Sequence, residues 1–583
     1  MTFQVSPGVN TSEIDLTTVV PAVSTSSGAV AGPFEWGPVD TVRQVSNENQ
    51  LVSVFGKPAT NSAPTFFTAA NFLAYANDLR VIRAANTATY NAYGKANTNL
   101  TVSGTQITNE EDFQASHTSG VANTVFAARY VGTLGNSLKV SLWANTNTAA
   151  FSSWAYSSLF DKAPGTSYFV KTSFPAAANT ANDELHLVVI DEDGAITGQA
   201  NTVLEKFSNL SKATNAKDET GQSIYWKDVI FRESRYIYVT GKPEKAGGNT
   251  AVNWDVEANN FAPFTTTGFD GTSANAALQD YSLSGGADAA LTDGDIERAY
   301  DKVANAEEVD VQLVMAAGHS EAVARYVVDL CTTRKDAVAF VSPALANVQA
   351  TDATTAVINY RNNALSNVST SYAVMDSGWK YQYDKYADVY RWVPLNGDIA
   401  GLCARTDTER DPWYSPAGLT RGQIKNVIKL AYNPNKANRD ELYKNGINPV
   451  VSFTGEGTLL YGDKTLLGRP SAFDRINVRR LFIVLEKSIA KAARSALFEF
   501  NDEFTRAQFV NLVEPFLRTV QGRRGIYDYR VVCDETNNTP EVIDRNEFVG
   551  DIYVKPAKSI NFIQLNFVSV RTGVAFEEIV GKF

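Results

Sequence analysis

Residues 309–341 read V-D-V-Q-L-V-M-A-A-G-H-S-E-A-V-A-R-Y-V-V-D-L-C-T-T-R-K-D-A-V-A-F-V. The first seven residues read as a strand, and A-V-A-F-V (337–341) reads as another. Between them Ser320 stands as an N-cap, and Val323, Tyr326, Val327 and Leu330 fall on one side of a helix. Strand, helix, strand at this spacing is a βαβ unit, whose crossover is expected to be right-handed. Just upstream, Ile296, Ala299, Tyr300 and Val303 recur at i, i+3, i+4, i+7 behind Thr292, a second capped helix. The centre of the chain, 281–470, is therefore expected to be an α/β domain.

Working outward, T-F-F-T-A-A-N-F-L-A-Y-A after Pro64 groups its apolar residues as a buried helix does. L-R-V-I-R-A then reads as a strand with Leu79, Val81 and Ile82 inward. Residues 93–120 turn rich in Asn, Thr, Ser and Gly, which marks a boundary. From 121 to 280 short alternating runs such as S-L-K-V-S-L-W and E-L-H-L-V-V-I are split by turns, the pattern of a β-sandwich or a related antiparallel module.

Downstream, Val478, Leu481, Phe482, Leu485, Ile489, Ala493, Ala496 and Phe500 keep a helical period. Thr505 with Gln508 forms a capping-box pattern that opens a further helix ending at Gly522. Three strand-like runs follow, Y-D-Y-R-V-V-C, F-V-G-D-I-Y-V and N-F-I-Q-L-N-F-V-S-V, the last with Ile563, Leu565 and Phe567 on one face. Residues 1–20 are polar with no helical period, and the terminal R-T-G-V-A-F-E-E-I-V is again extended.

Length and composition fit several domains. A chain of 583 residues holds about four domains at roughly 150 residues each. Hydrophobic residues make up 44%, yet no apolar run approaches the roughly 18 residues that cross a bilayer, so a soluble protein with several cores is expected. The first residues lack a basic segment followed by an apolar one, so no secretory signal is expected. Cys331, Cys403 and Cys533 are odd in number and far apart, which gives no disulfide framework and suits a reducing cytoplasm. The net charge of −11 argues against direct nucleic-acid binding, which needs a basic face. Residues 471–583 carry 16 Lys+Arg against 15 Asp+Glu, or +1, which leaves 1–470 at −12.

Catalytic and ligand motifs are missing. There is no G-x-S-x-G, H-E-x-x-H, C-x-x-C, or G-K followed by Ser or Thr. Of three histidines, His117 falls in a polar loop, His186 in a strand and His319 before a helix. G-H-S-E-A (318–322) sits where a nucleophile elbow would, but Ala322 replaces its last glycine, and Ser320 reads better as a cap. Asp376 and Asp388 are read as solvated strand ends rather than metal ligands, because no partners cluster with them. No catalytic, cofactor-binding or metal-binding residue is expected.

The stretch Trp413–Glu486 is different in kind. It runs W-Y-S-P-A-G-L-T-R-G, R-D-E-L-Y-K-N-G-I-N-P, G-E-G-T-L-L-Y-G-D-K-T-L and F-D-R-I-N-V-R-R-L-F. Glycines alternate with single charges (Arg421, Arg439, Asp440, Asp463, Lys464, Asp474, Arg475), as in a closely shaped subunit contact. With it go S-P-G-V-N-T-S-E-I (6–14), G-P-F-E-W-G-P-V (32–39), L-V-S-V-F-G-K-P (51–58), Y-V-G-T-L-G-N-S-L-K-V (130–140), L-S-G-G-A-D (283–288), K-Y-Q-Y-D-K-Y (380–386) and G-I-Y-D-Y-R-V-V-C-D-E-T-N-N-T-P (525–540). In this order, from Ser6 to Phe576, they resemble the tail sheath proteins of contractile-tailed bacteriophages (myoviruses).

That resemblance implies an α+β multidomain chain. Its expected parts are an extended N-terminal arm (1–20), an N-terminal part of the core (21–92) and a β-rich, sandwich-like protruding domain (93–280). A central α/β domain of subtilisin-like fold (281–470), a C-terminal α+β assembly domain (471–570) and an extended C-terminal arm (571–583) complete it. The resemblance implies a structural subunit and not an enzyme, since a shared fold does not confer activity. Copies are expected to polymerise in the host cytoplasm around a tail tube, as a helical sheath of hexameric rings in the virion tail, with baseplate and tail terminator proteins as further partners. Contraction then drives the tube through the host envelope.

Both arms are expected to add strands to neighbours through Val9, Ile14, Val570, Val574 and Phe576, the plain alternative being frayed termini. Lys487, Lys491 and Arg494, three to four residues apart, are candidate tube-facing cations, against the alternative of a solvated helix face. Arg479–Arg480 and Arg523–Arg524 are read the same way or as salt-bridge anchors. No cofactor, direct nucleic-acid contact or membrane insertion is expected. The segment 93–120 is short for the outward insertion of the largest phage sheaths. Two other readings stay open: the sheath of a DNA-free contractile injection machine, and, distantly, an α/β hydrolase.

Overall fold

The chain's core sheet is built from two distant parts of the sequence. In the computed structural model the described residues are 25–95, 102, 104–144, 151–175, 182–245, 249–250, 254–261, 279–366 and 368–561. Seven strands lie in the order Ile447–Asn448, Ala373–Asp376, Val338–Val341, Leu313–Met315, Gly28–Gly32, Leu79–Arg83, Arg43–Val45. All neighbours run parallel except the edge strand Arg43–Val45, which runs against Leu79–Arg83. The G-A-V-A-G strand thus lies inside the sheet, fully buried, with Leu313–Met315 on one side and Leu79–Arg83 on the other.

Glycine at that strand is a packing requirement. A Cβ at Gly28 would meet the Phe72 ring at 2.6 Å, and one at Gly32 would meet the His319 ring at 2.6 Å. Helices Asp293–Asp301 and Glu321–Arg334 pack with Ala29, Ala31, Val314 and Ala339 in one core through Ile296, Tyr300, Val323 and Val327. Their starts are as the sequence indicates: Thr292 and Asp295 form a capping box, and the Ser320 hydroxyl accepts from Val323 N–H. The first strand of the βαβ unit is shorter than expected, Leu313–Met315. Helices Ala63–Leu73 and Asn396–Glu409 pack on each other and against the sheet strands. Parallel strands buried on both faces explain the near-continuous apolar runs.

Residues 93–282 supply two larger antiparallel sheets besides the short pair Glu244–Lys245/Asn249–Thr250. One has the order Gln279–Ser282, Leu138–Trp143, Glu184–Asp191, Thr202–Ser211, the other Tyr93–Lys95, Thr124–Ala128, Ile237–Val239. They share a core with helix Trp226–Glu233, where Phe126, Val140, Leu187, Trp226 and Trp254 are buried together. The boundary expected at 93–120 is not featureless: Tyr93–Lys95 enters the smaller sheet, and Asn109 caps a helical turn that carries His117 at its end.

The described residues divide into two units. One holds those up to Pro412 with Pro416–Arg479, the other Trp413–Ser415 with those from Arg480 onward. The second unit has its own core, in which Leu481, Leu485, Ile489, Phe509, Val513 and Leu517 meet Trp413 and Ile526. Its helix Ile476–Ala493 stops short of the expected Phe500. The chain makes a 3-10 turn at Arg494–Ala496, and Phe498 takes a φ of 70° that no α-helix continues. The next helix, Glu503–Gly522, begins before Thr505: the Asp502 carboxylate accepts from Thr505 N–H, so the stronger capping residue three positions upstream sets the start. A ribbon of Ile526–Val532 and Asp551–Pro556 closes this unit.

Candidate functional site

The Ile526–Val532/Asp551–Pro556 ribbon has the geometry for joining chains. It pairs Tyr529 with Val554, Arg530 with Tyr553 and Val531 with Ile552. One face leans on the Glu503–Gly522 helix through Tyr529, Val531, Ile552 and Val554. The other shows Tyr527 and Tyr553 to solvent, together with the exposed pair Lys555–Asp528 at 3.2 Å. Neither strand has a second strand partner among the described residues. Each outer edge therefore presents backbone N–H and C=O groups to a further strand, the situation that β-augmentation exploits.

The five arm residues, Val9, Ile14, Val570, Val574 and Phe576, lie outside the described residues, as do Ile563, Leu565 and Phe567. Of the cations, Lys491 is exposed near the end of helix Ile476–Ala493, Arg494 is exposed in the turn after it, and Lys487 is half-buried. Arg479 and Arg480, read as surface cations, are buried instead. The Arg479 guanidinium lies 4.4 Å from the ring centres of both Tyr372 and Phe473, so its flat face is used in stacking. Charges of the Trp413–Glu486 stretch are likewise partly spent inside the chain. Arg475 meets Asp463 at 3.2 Å, Lys464 donates to Tyr443 O at 2.8 Å, and Arg439 lies over Phe453 and Tyr461.

Asp376 corrects a second expectation. It is not a solvated strand end but buried at the carboxyl edge of the parallel sheet. Its carboxylate accepts from Ser342 Oγ at 2.6 Å and from Gly378 N–H at 2.8 Å, and burial pushes its pKa up to about 8. Beside it, Lys380 Nζ donates to Asp398 Oδ1 at 2.9 Å and to Lys425 O at 2.9 Å. Burial pushes Lys380 down and Asp398 up, and their mutual attraction opposes both shifts. Lys380 opens the K-Y-Q-Y-D-K-Y run, but nothing in that run points to Asp398 as its partner.

The elbow residues are occupied structurally. His319 Nε2 lies 2.8 Å from Ala31 O, and burial holds its imidazole below the usual range. Ser320 Oγ donates to Asp293 at 2.7 Å while capping its helix. Among the described residues no group of three His, Cys, Asp or Glu is placed to hold a metal ion, and no helix is long and apolar enough to cross a membrane.

Comparison with known proteins agrees with this architecture. Three family models match: phage tail sheath protein central domain over 289–466, phage tail sheath C-terminal domain over 469–569, and tail sheath protein Gp18 domain III N-terminal region over 28–84. The tail sheath protein of Vibrio phage KVP40 is 36% identical, with 99% of each chain covered. That of Enterobacteria phage T4 is also 36% identical over 99% of each chain. This chain belongs to the phage tail sheath protein family. The alignment to the KVP40 sheath spans 703 positions, more than the 583 residues here, so that sheath carries residues with no counterpart in this one. Among solved structures, the sheath tail protein of Desulfitobacterium hafniense superposes with a TM-score of 0.51 at 11% identity, over 95% of this chain and 100% of that one. The anti-feeding prophage helical sheath in its contracted state gives 0.50 at 11% identity, over 98% and 100%. At that identity the likeness is one of fold. The family model for 28–84 and that for 289–466 both cover strands of this chain's seven-stranded sheet.

Proposed function

We propose that this sheath subunit polymerises helically around a tail tube in an extended, metastable state and contracts to drive the tube through the host envelope. The observation that carries the mechanism is the ribbon Ile526–Val532/Asp551–Pro556 with its open edges. An arm strand on such an edge forms main-chain hydrogen bonds worth a net of about 0.5–1.5 kcal/mol each, so four to six bonds hold a junction by a few kcal/mol. Arms at 1–20 and 571–583 would link each copy to its neighbours while the bodies repack, through Val9, Ile14, Val570, Val574 and Phe576. The division at 20, 92, 280, 470 and 570 belongs to the same reading. So do hexameric rings, assembly in the host cytoplasm, contacts with baseplate and tail terminator proteins, and a tube-facing role for Lys487, Lys491 and Arg494. No fuel enters the cycle if the contracted lattice lies lower in free energy, and a kinetic barrier then sets the rate.

Electron microscopy of the full-length chain beside a variant lacking residues 1–20 tests this. Hollow cylinders from the full-length chain with added tube, absent from the truncated one, are the expected result. Equal cylinders from both would overturn the N-terminal arm mechanism.

A further inference from the structure

Between helices Ile476–Ala493 and Glu503–Gly522 the chain reads L-F-E-F-N-D-E-F (497–504). Its four large apolar side chains all face solvent: Leu497 is 62% exposed, Phe498 104%, Phe500 84% and Phe504 74%. Single exposed apolar residues are ordinary, but four within eight residues mark a contact surface. The loop is held, not loose. Asn501 Nδ2 donates to Glu547 O at 2.8 Å, Arg506 Nη1 donates to Asn501 Oδ1 at 2.9 Å, and Asp502 is fixed as a helix cap. Phe498 adopts a φ of 70°, a left-handed conformation that costs a bulky residue free energy and favours glycine. Among the described residues none covers the ring that this conformation displays. The segment 497–504 itself carries three acidic residues, Glu499, Asp502 and Glu503, and no basic one, Arg506 being turned to Asn501.

The other unit carries a surface of opposite character. A groove of about 420 Å³ is floored by Phe67, Ala70 and Leu73 of helix Ala63–Leu73 and walled by Tyr383, Val427 and Ile428. Tyr383 and Ile428 are themselves about half exposed. Lys385 in its lining is paired with Glu48 at 3.2 Å and Tyr383 donates to Asp388 at 2.6 Å, while the exposed Lys425 and Lys429, on either side of the 426–428 wall in sequence, add two further positive charges.

We propose that the acidic aromatic loop 497–504 of one copy docks in the lysine-rimmed groove of a neighbouring copy. The proposal rests on the sheath reading and adds a contact to it that is independent of the arms. Charge complementarity selects the pair: acidic residues among the loop's rings face lysines around the groove's apolar floor. A knob on one surface meeting a pocket on a different surface of an identical chain is a heterologous contact. Such contacts propagate into rings or open helical arrays. The volume lies within the range of pockets that enclose small apolar groups, so a phenylalanine ring fits inside it.

The test replaces Phe498 with the photo-crosslinker p-benzoylphenylalanine in cylinders assembled on tube from a mixture of unlabelled and 15N-labelled full-length chains. Irradiation is expected to join position 498 to a peptide containing Tyr383–Lys385 or 426–428 of a differently labelled copy. Links to the tube protein, links to another face, or no links in well-formed cylinders would overturn the docking and leave the sheath reading standing. If the unmodified chain formed no cylinders on tube, both readings would fall. Phe498→Gly supplies a second readout, because glycine relieves the positive φ and leaves the monomer at least as resistant to thermal unfolding. Its cylinder yield is expected to drop about tenfold. An unchanged yield would overturn the proposal.

Discussion

Asp376 ends a parallel strand with its carboxyl between Ser342 Oγ and Gly378 N–H, and with Asp398 near enough to disfavour a second negative charge. Its pKa is raised by burial to about 8 in the folded chain, against about 3.9 in an unfolded one. The native state therefore binds a proton more tightly than the unfolded state. The stability this contributes is complete below about pH 4 and is lost as the pH rises toward 8. Asp376→Asn removes the titration. Urea unfolding of the two monomers at pH 5 and pH 8 should show the wild type losing more stability between those values than the variant does. Equal losses would mean that the carboxyl is ionised throughout and that its two hydrogen bonds outweigh burial.

At the scale of elements, capping governs where the C-terminal helix starts. Asp502 accepts from Thr505 N–H and also places its negative charge at the helix's positive end. Asp502→Ala should lower the urea midpoint, while Asp502→Asn, an equally good cap, should leave it nearly unchanged. If the two variants are equally destabilised, Asp502 is not the cap. The same helix shows what a sequence can disclose. Caps and periods are local, so Thr292, Ser320, the 63–73 helix and the apolar faces of the βαβ unit were readable. The helix expected to run to Phe500 failed for a reason outside local pattern: A-R-S-A-L-F-E-F keeps a helical spacing, yet its aromatic residues face solvent rather than a core. The place of G-A-V-A-G inside the sheet was hidden because its partner Leu313–Met315 is nearly three hundred residues away, and periodicity carries no pairing information. Lys380 and Asp398 were invisible for the opposite reason, since isolated charges read as surface until a fold buries them together. Of the candidate site, the strand Ile526–Val532 was legible and its open edge was not, because an unpaired edge is a property of the whole sheet.

At the scale of the molecule, the seven-stranded core constrains how a sheath can contract. The sheet is covered by helices on both faces and threaded by residues with no spare volume, such as Gly28 against Phe72. Interiors packed at this density move as bodies rather than deform. Contraction should therefore leave backbone protection in Gly28–Gly32, Leu313–Met315 and Val338–Val341 unchanged, and concentrate its changes where copies touch. Hydrogen exchange on extended and contracted sheaths of the full chain measures this directly. Matching slow exchange in the three strands, with altered exchange at 497–504 and in the 426–428 wall, is the expected pattern. Faster exchange of the central strands in either state would mean that the core opens during the transition. The work of contraction would then be limited by local unfolding inside each subunit rather than by exchange of contacts between them.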